Sequence, residues 1–109
     1  MHLTKHDIEC LQEAKKIIEK NIARHYTIPE IAREIGFSCS KLKTKFKYLF
    51  GMSVYKYRED KRLEKGKLLL ENTEQTLKHI SRTLGYKYKN NFSTAFKKKF
   101  GKTPTDCRN

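Results

Sequence analysis

Two segments of the sequence are copies of one short unit, and this repeat constrains the fold more than any other pattern in the chain. Residues 31–51 align with residues 80–101, because the same apolar pattern, glycine and aromatic residue recur in the same order. The matching pairs are Ile31 and Ile80, Ile35 and Leu84, Gly36 and Gly85, Phe37 and Tyr86, Leu42 and Phe92, Phe46 and Phe96, Phe50 and Phe100, and Gly51 and Gly101. The offset changes from 49 to 50 within the unit, so the second copy has one additional residue at its corner. A short helix, a turn containing glycine and a second helix form the helix-turn-helix arrangement.

Helical periodicity covers nearly all of the chain, and no segment alternates apolar and polar residues as a strand does. Helix starts are marked by Ser or Thr residues with apolar neighbours, and Thr4 and Thr27 are each followed three residues later by an acid. Helix ends are marked by glycines that follow apolar segments. We therefore predict an all-α protein with six to seven helices. The predicted helices span 4–23, 27–35, 38–50, 53–72, 76–84 and 89–100, and Pro104 opens a possible last turn.

The repeat predicts two helix-turn-helix subdomains joined by a long connector helix. Residues 1–52 form an N-terminal helix and the first helix-turn-helix, residues 53–75 the connector, and residues 76–109 the second helix-turn-helix. A connector helix of about 20 residues is about 30 Å long. Successive major grooves on one face of B-DNA lie about 34 Å apart. A connector of this length would allow one chain to place two helices in adjacent grooves.

The charge of the chain indicates a polyanionic partner. The 109 residues include 25 Lys and Arg against 12 Asp and Glu, and residues 76–109 contain nine basic side chains and one acidic one. Nucleic acid and an anionic membrane surface are the partners that this balance favours. The longest apolar run, Leu68–Leu70, is far shorter than the roughly 20 residues of a spanning helix, and no signal-peptide pattern is present. We expect a soluble, cytoplasmic protein with no membrane partner.

No pattern typical of a metal, cofactor or catalytic site is recognisable. Cys10, Cys39 and Cys107 are far apart and lack Cys-x-x-Cys spacing, which favours reduced thiols over a zinc site or a disulfide framework. The four histidines are scattered and are expected at the surface. Paired carboxylates, a nucleophile motif and a phosphate-binding glycine loop are also lacking. We therefore predict no metal, no cofactor and no enzyme activity.

The second helix of each repeat has one apolar face and one polar face rich in lysine. At 100° per residue, the polar face of the helix predicted at 38–50 contains Ser40, Lys41, Thr44, Lys47 and Tyr48. The polar face of the helix predicted at 89–100 contains Asn90, Ser93, Thr94, Lys97 and Lys98. Lysines neutralise phosphates, whereas Ser, Thr and Asn also hydrogen-bond base edges, so these faces suit a DNA major groove.

The two kinds of polar residue predict two kinds of DNA contact. Asn90 is the best single candidate for a base contact, since its amide can pair with adenine through two hydrogen bonds. We expect the DNA backbone to be contacted by Lys41, Lys47, Ser93, Lys97 and Lys98.

Further motifs lie in the second repeat and in the connector. The segment GYKYKNNFSTAFKKKFGKTPTDCR follows a pattern of Gly-aromatic, Phe, Phe-Lys, Phe-Gly, Thr-Pro and a closing Arg, and RLEKGKLLLEN follows an Arg-Leu, small residue, Leu-Leu pattern. With these motifs, residues 8–108 resemble the DNA-binding domain of AraC/XylS-type transcription regulators. The resemblance implies a bilobal helical domain that binds promoter DNA with both helix-turn-helix units and usually activates transcription by contacting RNA polymerase. The positions matching the family's base-reading residues are Ser40, Lys43, Thr44, Lys89, Asn90 and Thr94.

The sequence departs from the family pattern at two positions. Gly66 stands where the family usually has alanine, and Cys107 stands where an aromatic residue usually precedes the closing Arg. Because glycine inside a helix costs about 1 kcal/mol relative to alanine, we expect Gly66→Ala to stabilise the fold if a methyl group has room there.

The resemblance also bears on whether this chain is a whole regulator or one domain of it. Most of its members have a separate ligand-binding or dimerisation domain before this one, and the first predicted helix begins within three residues of Met1. We therefore expect an excised C-terminal domain, monomeric in isolation, rather than a stand-alone activator.

Two other function classes are compatible with the charge. A nonspecific DNA- or RNA-binding module would be equally basic, and a protein-interaction module would not require nucleic acid at all. The first alternative gives no reason for two aimed helices at this separation, and the absence of DNA binding at low salt would favour the second. Sequence-specific binding of double-stranded DNA for transcription regulation, and more narrowly for activation, is the function that the sequence favours.

Overall fold

The computed structural model describes residues 1–108, and all the regular structure in them is helical. The helices are α1 (Lys5–Lys20), α2 (Ile28–Ile35), α3 (Cys39–Phe50), α4 (Val54–Asn72), α5 (Leu77–Thr83), α6 (Lys89–Phe100) and α7 (Pro104–Arg108). The predicted all-α class is confirmed, and α7 is the last turn predicted at Pro104. Asn109, the final residue of the predicted second subdomain, lies outside the described residues. None of these helices is long and apolar enough to cross a membrane.

Most helix ends lie within a residue or two of the predicted ones because the predicted caps are present. Thr4 and Thr27 each accept a hydrogen bond from the backbone N–H three residues later, where Asp7 and Glu30 complete two capping boxes. The four glycines predicted to end helices have φ between 74° and 87°, a left-handed conformation that favours glycine.

The first helix is shorter than predicted, because α1 ends at Lys20 rather than at residue 23. Asn21 leaves helical geometry, with φ −143° and ψ 83°. Arg58 of α4 donates hydrogen bonds to two backbone carbonyls shortly after α1, that of Ala23 at 3.1 Å and that of Arg24 at 3.2 Å. A side chain 35 positions away in the sequence therefore fixes this turn, and helical periodicity contains no information about it.

The chain forms two compact units, and the boundary between them falls within α4. Unit 1 comprises Met1–Arg58, and unit 2 begins at Glu59. The predicted connector thus contributes its first residues to unit 1 and the remainder to unit 2. The core of unit 1 includes the fully buried residues Leu11, Ile18, Ile31, Leu42 and Phe46. The core of unit 2 includes Leu63, Leu70, Ile80, Leu84, Phe92 and Phe96.

Two arginines of unit 2, one buried and one exposed, donate hydrogen bonds to the backbone carbonyls of loops. Arg62 is buried, donates to the carbonyl of Leu84 at 3.4 Å and stacks 3.8 Å from the ring of Tyr86, so it holds the turn between α5 and α6. Glu59 accepts hydrogen bonds from Arg62 at 2.7 Å and from the Tyr86 hydroxyl at 2.7 Å. At the other end, Arg108 donates to backbone carbonyls of the residues that follow α4, including that of Thr73 at 3.1 Å. The turn that sets the direction of α6 is therefore fixed by side chains of α4.

The surroundings of Gly66 decide whether a methyl group has room at this position. A Cβ atom at this position would lie 2.8 Å from two ring atoms of Phe92 and 2.9 Å from a methyl carbon of Leu84. Both neighbours are fully buried, so neither can move away at small cost. The condition on which Gly66→Ala was expected to stabilise the fold, room for a methyl group, is therefore not met, because α4 and α6 approach each other at this glycine.

Candidate nucleic-acid interface

The helix α3 presents a polar face opposite its buried one. Leu42 and Phe46 are fully buried and anchor α3 to the core of unit 1, and its amino end is capped by Ser38, which accepts from the N–H of Lys41 at 3.1 Å. The predicted DNA-contacting residues Ser40, Lys43, Thr44 and Lys47 are exposed. Lys43, Thr44 and Lys47 also line a shallow hollow with Tyr48, whose side chain is exposed. These residues form a continuous donor-rich surface along two turns of the helix.

Lys41 differs from the other predicted DNA contacts of α3, because it is half-buried and engaged within unit 1. Its ammonium lies 3.1 Å from a carboxylate oxygen of Asp7 and 4.2 Å from the centre of the Phe37 ring. Lys45, one turn later, lies 2.9 Å from the other oxygen of Asp7. Asp7 is 3% exposed and also accepts from the N–H of Thr4. One buried carboxylate on α1 therefore joins two successive turns of α3 and fixes the rotation of that helix.

The electrostatics of Asp7 follow from these contacts. Hydrogen bonds from Lys45, from the backbone N–H of Thr4 and from Lys41 hold the pKa of the Asp7 carboxyl well below its usual range. An ion pair that is partly shielded from solvent stabilises the charged form of an acid in this way. The folded protein therefore favours the ionised form of Asp7.

We expect Asp7→Asn to lower the melting temperature at pH 7 and to have a smaller effect in acid. The pKa of Asp7 is lower in the folded protein than in the unfolded chain, so its contribution to stability is complete above the unfolded value of about 3.9 and is lost as the pH falls below it. Thermal unfolding of both proteins from pH 7 to pH 3 checks this prediction. Glu9→Gln, an exposed neutralisation on the same helix, is the control. A difference in melting temperature between wild type and Asp7→Asn that stays constant with pH would contradict it.

The helix α6 repeats the arrangement in unit 2. Phe92 and Phe96 are fully buried, and Phe96 packs against Phe100 with ring centres 4.6 Å apart. The predicted contacts Lys89, Asn90, Thr94, Lys97 and Lys98 are exposed, and Ser93 is half-buried. Lys97 and Lys98 form no ion pair within residues 1–108, whereas Lys99 lies 3.3 Å from Asp60. The exposed predicted contacts of α6 thus offer one amide, one hydroxyl and three lysines to a partner.

Comparison with known proteins agrees with this geometry. A family model described as a helix-turn-helix domain matches residues 31–109. The chain is 32% identical over 99 residues to the arabinose operon regulatory protein of Salmonella typhimurium, which covers 90% of the chain and 35% of that protein. A crystal structure of a transcriptional regulator with an AraC-type DNA-binding domain from Chromobacterium violaceum superposes with a TM-score of 0.87 at 28% identity, covering 96% of this chain and 94% of the other. The chain belongs to the AraC/XylS family.

A second solved structure matches nearly the whole of this AraC-type chain and has a similar length. The C-terminal domain of the two-component response regulator yesN from Fusobacterium nucleatum is 31% identical, has a TM-score of 0.84, and is covered over 99% of its length by 93% of this chain. By contrast, the chain spans only about a third of the arabinose regulator. The similarity therefore concerns the helix-turn-helix part of such regulators.

Sequence reasoning missed two parts of the AraC-type interface. The contact between Asp7 and Lys45 joins residues 38 positions apart, and Asp7 was interpreted only as a helix cap. The grouping of Lys78, Arg82 and Lys87 with the predicted contact Lys89 around the turn between α5 and α6 is the second, because three of these cations lie outside the second helix of the repeat. The excess of basic residues in 76–109 was a signal that could have led to this second group.

Metal ions are bound in proteins by clusters of His, Cys, Asp and Glu side chains. Within residues 1–108, no three His, Cys, Asp or Glu side chains lie close enough together to hold a metal ion. The chemistry that the exposed faces of α3 and α6 offer is hydrogen bonding and positive charge.

Proposed function

We propose that this AraC-type domain binds specific sequences of double-stranded promoter DNA and thereby regulates transcription. The observation that carries the proposal is that α3 and α6 each bury one aromatic face and expose a face of lysines and small polar residues. Such a face suits a major groove, where base edges offer hydrogen-bond partners and the flanking phosphates attract lysines. The relatives named as an operon regulatory protein and as an AraC-type DNA-binding domain support the same role.

The proposal assigns different tasks to the exposed residues. Base contacts are made by Ser40, Lys43, Thr44, Lys89, Asn90 and Thr94. Backbone contacts are made by Lys47, Ser93, Lys97 and Lys98, with a smaller contribution from Lys41. Lys41 contributes less because Asp7 already neutralises part of its charge.

The wider role of the protein follows from the family. We propose that it acts in the cytoplasm, where bacterial promoters lie, that it activates transcription by contacting RNA polymerase, and that the isolated domain binds as a monomer. Activation, the polymerase contact and the monomeric state rest on the family resemblance. Binding with two recognition helices rests on the repeat itself.

We expect Asn90→Ala and Lys97→Ala to weaken DNA binding in different ways. Asn90 is an exposed amide in the first turn of α6, with both a donor and an acceptor, whereas Lys97 lies two turns later and offers only donors. Asn90→Ala should cost about 1 to 3 kcal/mol on the preferred site and relax selectivity at one base pair, while Lys97→Ala should weaken all duplexes alike. Affinities for matched and single-mismatch duplexes at two salt concentrations measure both effects.

In unit 1, Thr44 and Lys47 have the same two proposed roles and allow the same comparison. Thr44→Ala should reduce selectivity and Lys47→Ala should not, since a hydroxyl can hydrogen-bond a base edge and both side chains are exposed on α3. If Asn90→Ala lowered the affinity for matched and mismatched duplexes equally, the base-reading role of Asn90 would be wrong.

A further inference from the structure

A basic hollow of about 450 Å³ lies in unit 2, beside the turn between α5 and α6. It is lined by Lys78 and Arg82 of α5, by Lys87 and Tyr88 of the turn, and by Lys89 and Asn90 at the start of α6. Its four cations are exposed, no carboxylate lines it, and none of the four forms an ion pair within residues 1–108. Four like charges around one hollow repel each other, and a bound anion relieves that repulsion.

Unit 1 provides an internal comparison, because the repeat pairs Arg82 with Arg33. Arg33 also lines a hollow, but Glu30 and Glu34 line it as well. In that hollow, Arg24 lies 2.8 Å from Glu30. At the offset of 49, the two acids correspond to His79 and Thr83, so the second copy keeps the arginine and lacks the acids. The basic hollow is thus a property of unit 2 and not of the repeated fold.

The amino end of α6 adds backbone donors to the same place. Ser38 caps α3 with its side chain, whereas Tyr88 at the cap position of α6 makes no side-chain hydrogen bond to the helix. The first N–H groups of a helix bind anions when a side chain does not satisfy them. Tyr88, Lys89 and Asn90 line the hollow, so the first turn of α6 lies beside its cations.

We propose that this hollow is the phosphate anchor of unit 2, and that Arg82 and Lys87 bind a backbone phosphate next to the base pair read by Asn90. The proposal rests on the proposed function and adds to it the residues that fix α6 on the duplex. Arginine suits this position because its planar guanidinium group donates two parallel hydrogen bonds to a phosphate, and Lys87 adds a second positive charge. A phosphate is the anion that lies beside a base edge in duplex DNA, and Asn90 shares the hollow with both cations.

The test uses the double variant Arg82→Gln/Lys87→Gln, with Arg33→Gln as the matched control. Both arginines are exposed on the first helix of their repeat, so neither substitution removes core packing, and melting temperatures verify that all the proteins fold. Affinity for a duplex selected by the wild type is measured at several salt concentrations. The double variant should bind about tenfold or more weakly, with a salt slope reduced by about two, equally on matched and mismatched duplexes. Arg33→Gln should change the affinity less than about twofold.

Four results would overturn the anchor. If the wild type binds the selected duplex and the double variant binds it equally well, the proposed function stands and the anchor is wrong. The anchor is also wrong if Arg33→Gln weakens binding as much as the double variant does. If the double variant keeps its duplex affinity but loses binding to phosphatidylserine vesicles that the wild type binds, the hollow serves a membrane. Failure of the wild type to bind any duplex would remove the proposed function itself, and the anchor with it.

Discussion

Raising the salt concentration from 50 to 200 mM should weaken binding to the preferred duplex by about 10³- to 10⁴-fold. The expectation corresponds to a slope of about −5 to −7 in a plot of log affinity against log salt, because six to eight cations neutralise phosphates and release their counterions. The structure offers enough exposed cations without an ion pair within residues 1–108. Six of them have no assigned base contact, namely Lys47, Lys78, Arg82, Lys87, Lys97 and Lys98.

Titrations of a labelled duplex at four or more salt concentrations measure this slope. Lys47→Gln combined with Lys97→Gln should reduce its magnitude by about two, since each substitution removes one phosphate contact. Lys16→Gln, an exposed substitution on α1, should leave it unchanged. A slope near zero for the wild type would mean that DNA is not the partner of this surface.

We expect Gly66→Ala to lower the free energy of unfolding by about 1 to 3 kcal/mol, the cost of forcing an additional methyl group into a packed core. A Cβ atom would lie 2.8 Å from the ring of Phe92, so the better helix propensity of alanine, about 1 kcal/mol, does not compensate. Chemical denaturation followed by circular dichroism gives the value. Lys65→Ala, exposed on the same helix, should change stability by no more than about 0.5 kcal/mol.

A double variant identifies the cause of this loss. Phe92→Leu removes the ring atoms nearest to position 66, so Gly66→Ala should destabilise the Phe92→Leu protein less than it destabilises the wild type. Independent, additive effects would show that the ring of Phe92 is not the obstacle. A higher melting temperature for Gly66→Ala alone would contradict the close approach of α4 and α6.

The local features of this fold could be predicted from the sequence because each depends on neighbouring residues. A threonine with an acid three residues later determines the start of α1, and a glycine in a left-handed conformation determines the end of α3. The burial of Phe46 and the exposure of Thr44 follow from their positions on one helix. Since the repeat supplied the same signals twice, the class of fold followed from them.

Other features were unpredictable because they join residues far apart in the chain. Three such features become visible only in the packed structure. They are the ion pair between Asp7 and Lys45, the hydrogen bond from Arg58 to the carbonyl of Ala23, and the close approach of Gly66 to Phe92. Periodicity indicates which face of a helix is buried, but not which neighbour it meets or at what distance. The pairing of Lys41, a predicted contact to the DNA backbone, with Asp7 is one such neighbour that its position on α3 does not reveal.

The most direct test of specific DNA recognition by two helices is selection of bound duplexes from a random pool, using the wild-type protein as a monomer. Two different recognition helices in one chain should recover one asymmetric motif with two elements roughly one helical turn apart, spanning about 20 base pairs. Footprinting on the recovered duplex should protect both elements with one protein bound. A pool that retains random sequence after selection, or a single short element protected by the monomer, would contradict the account.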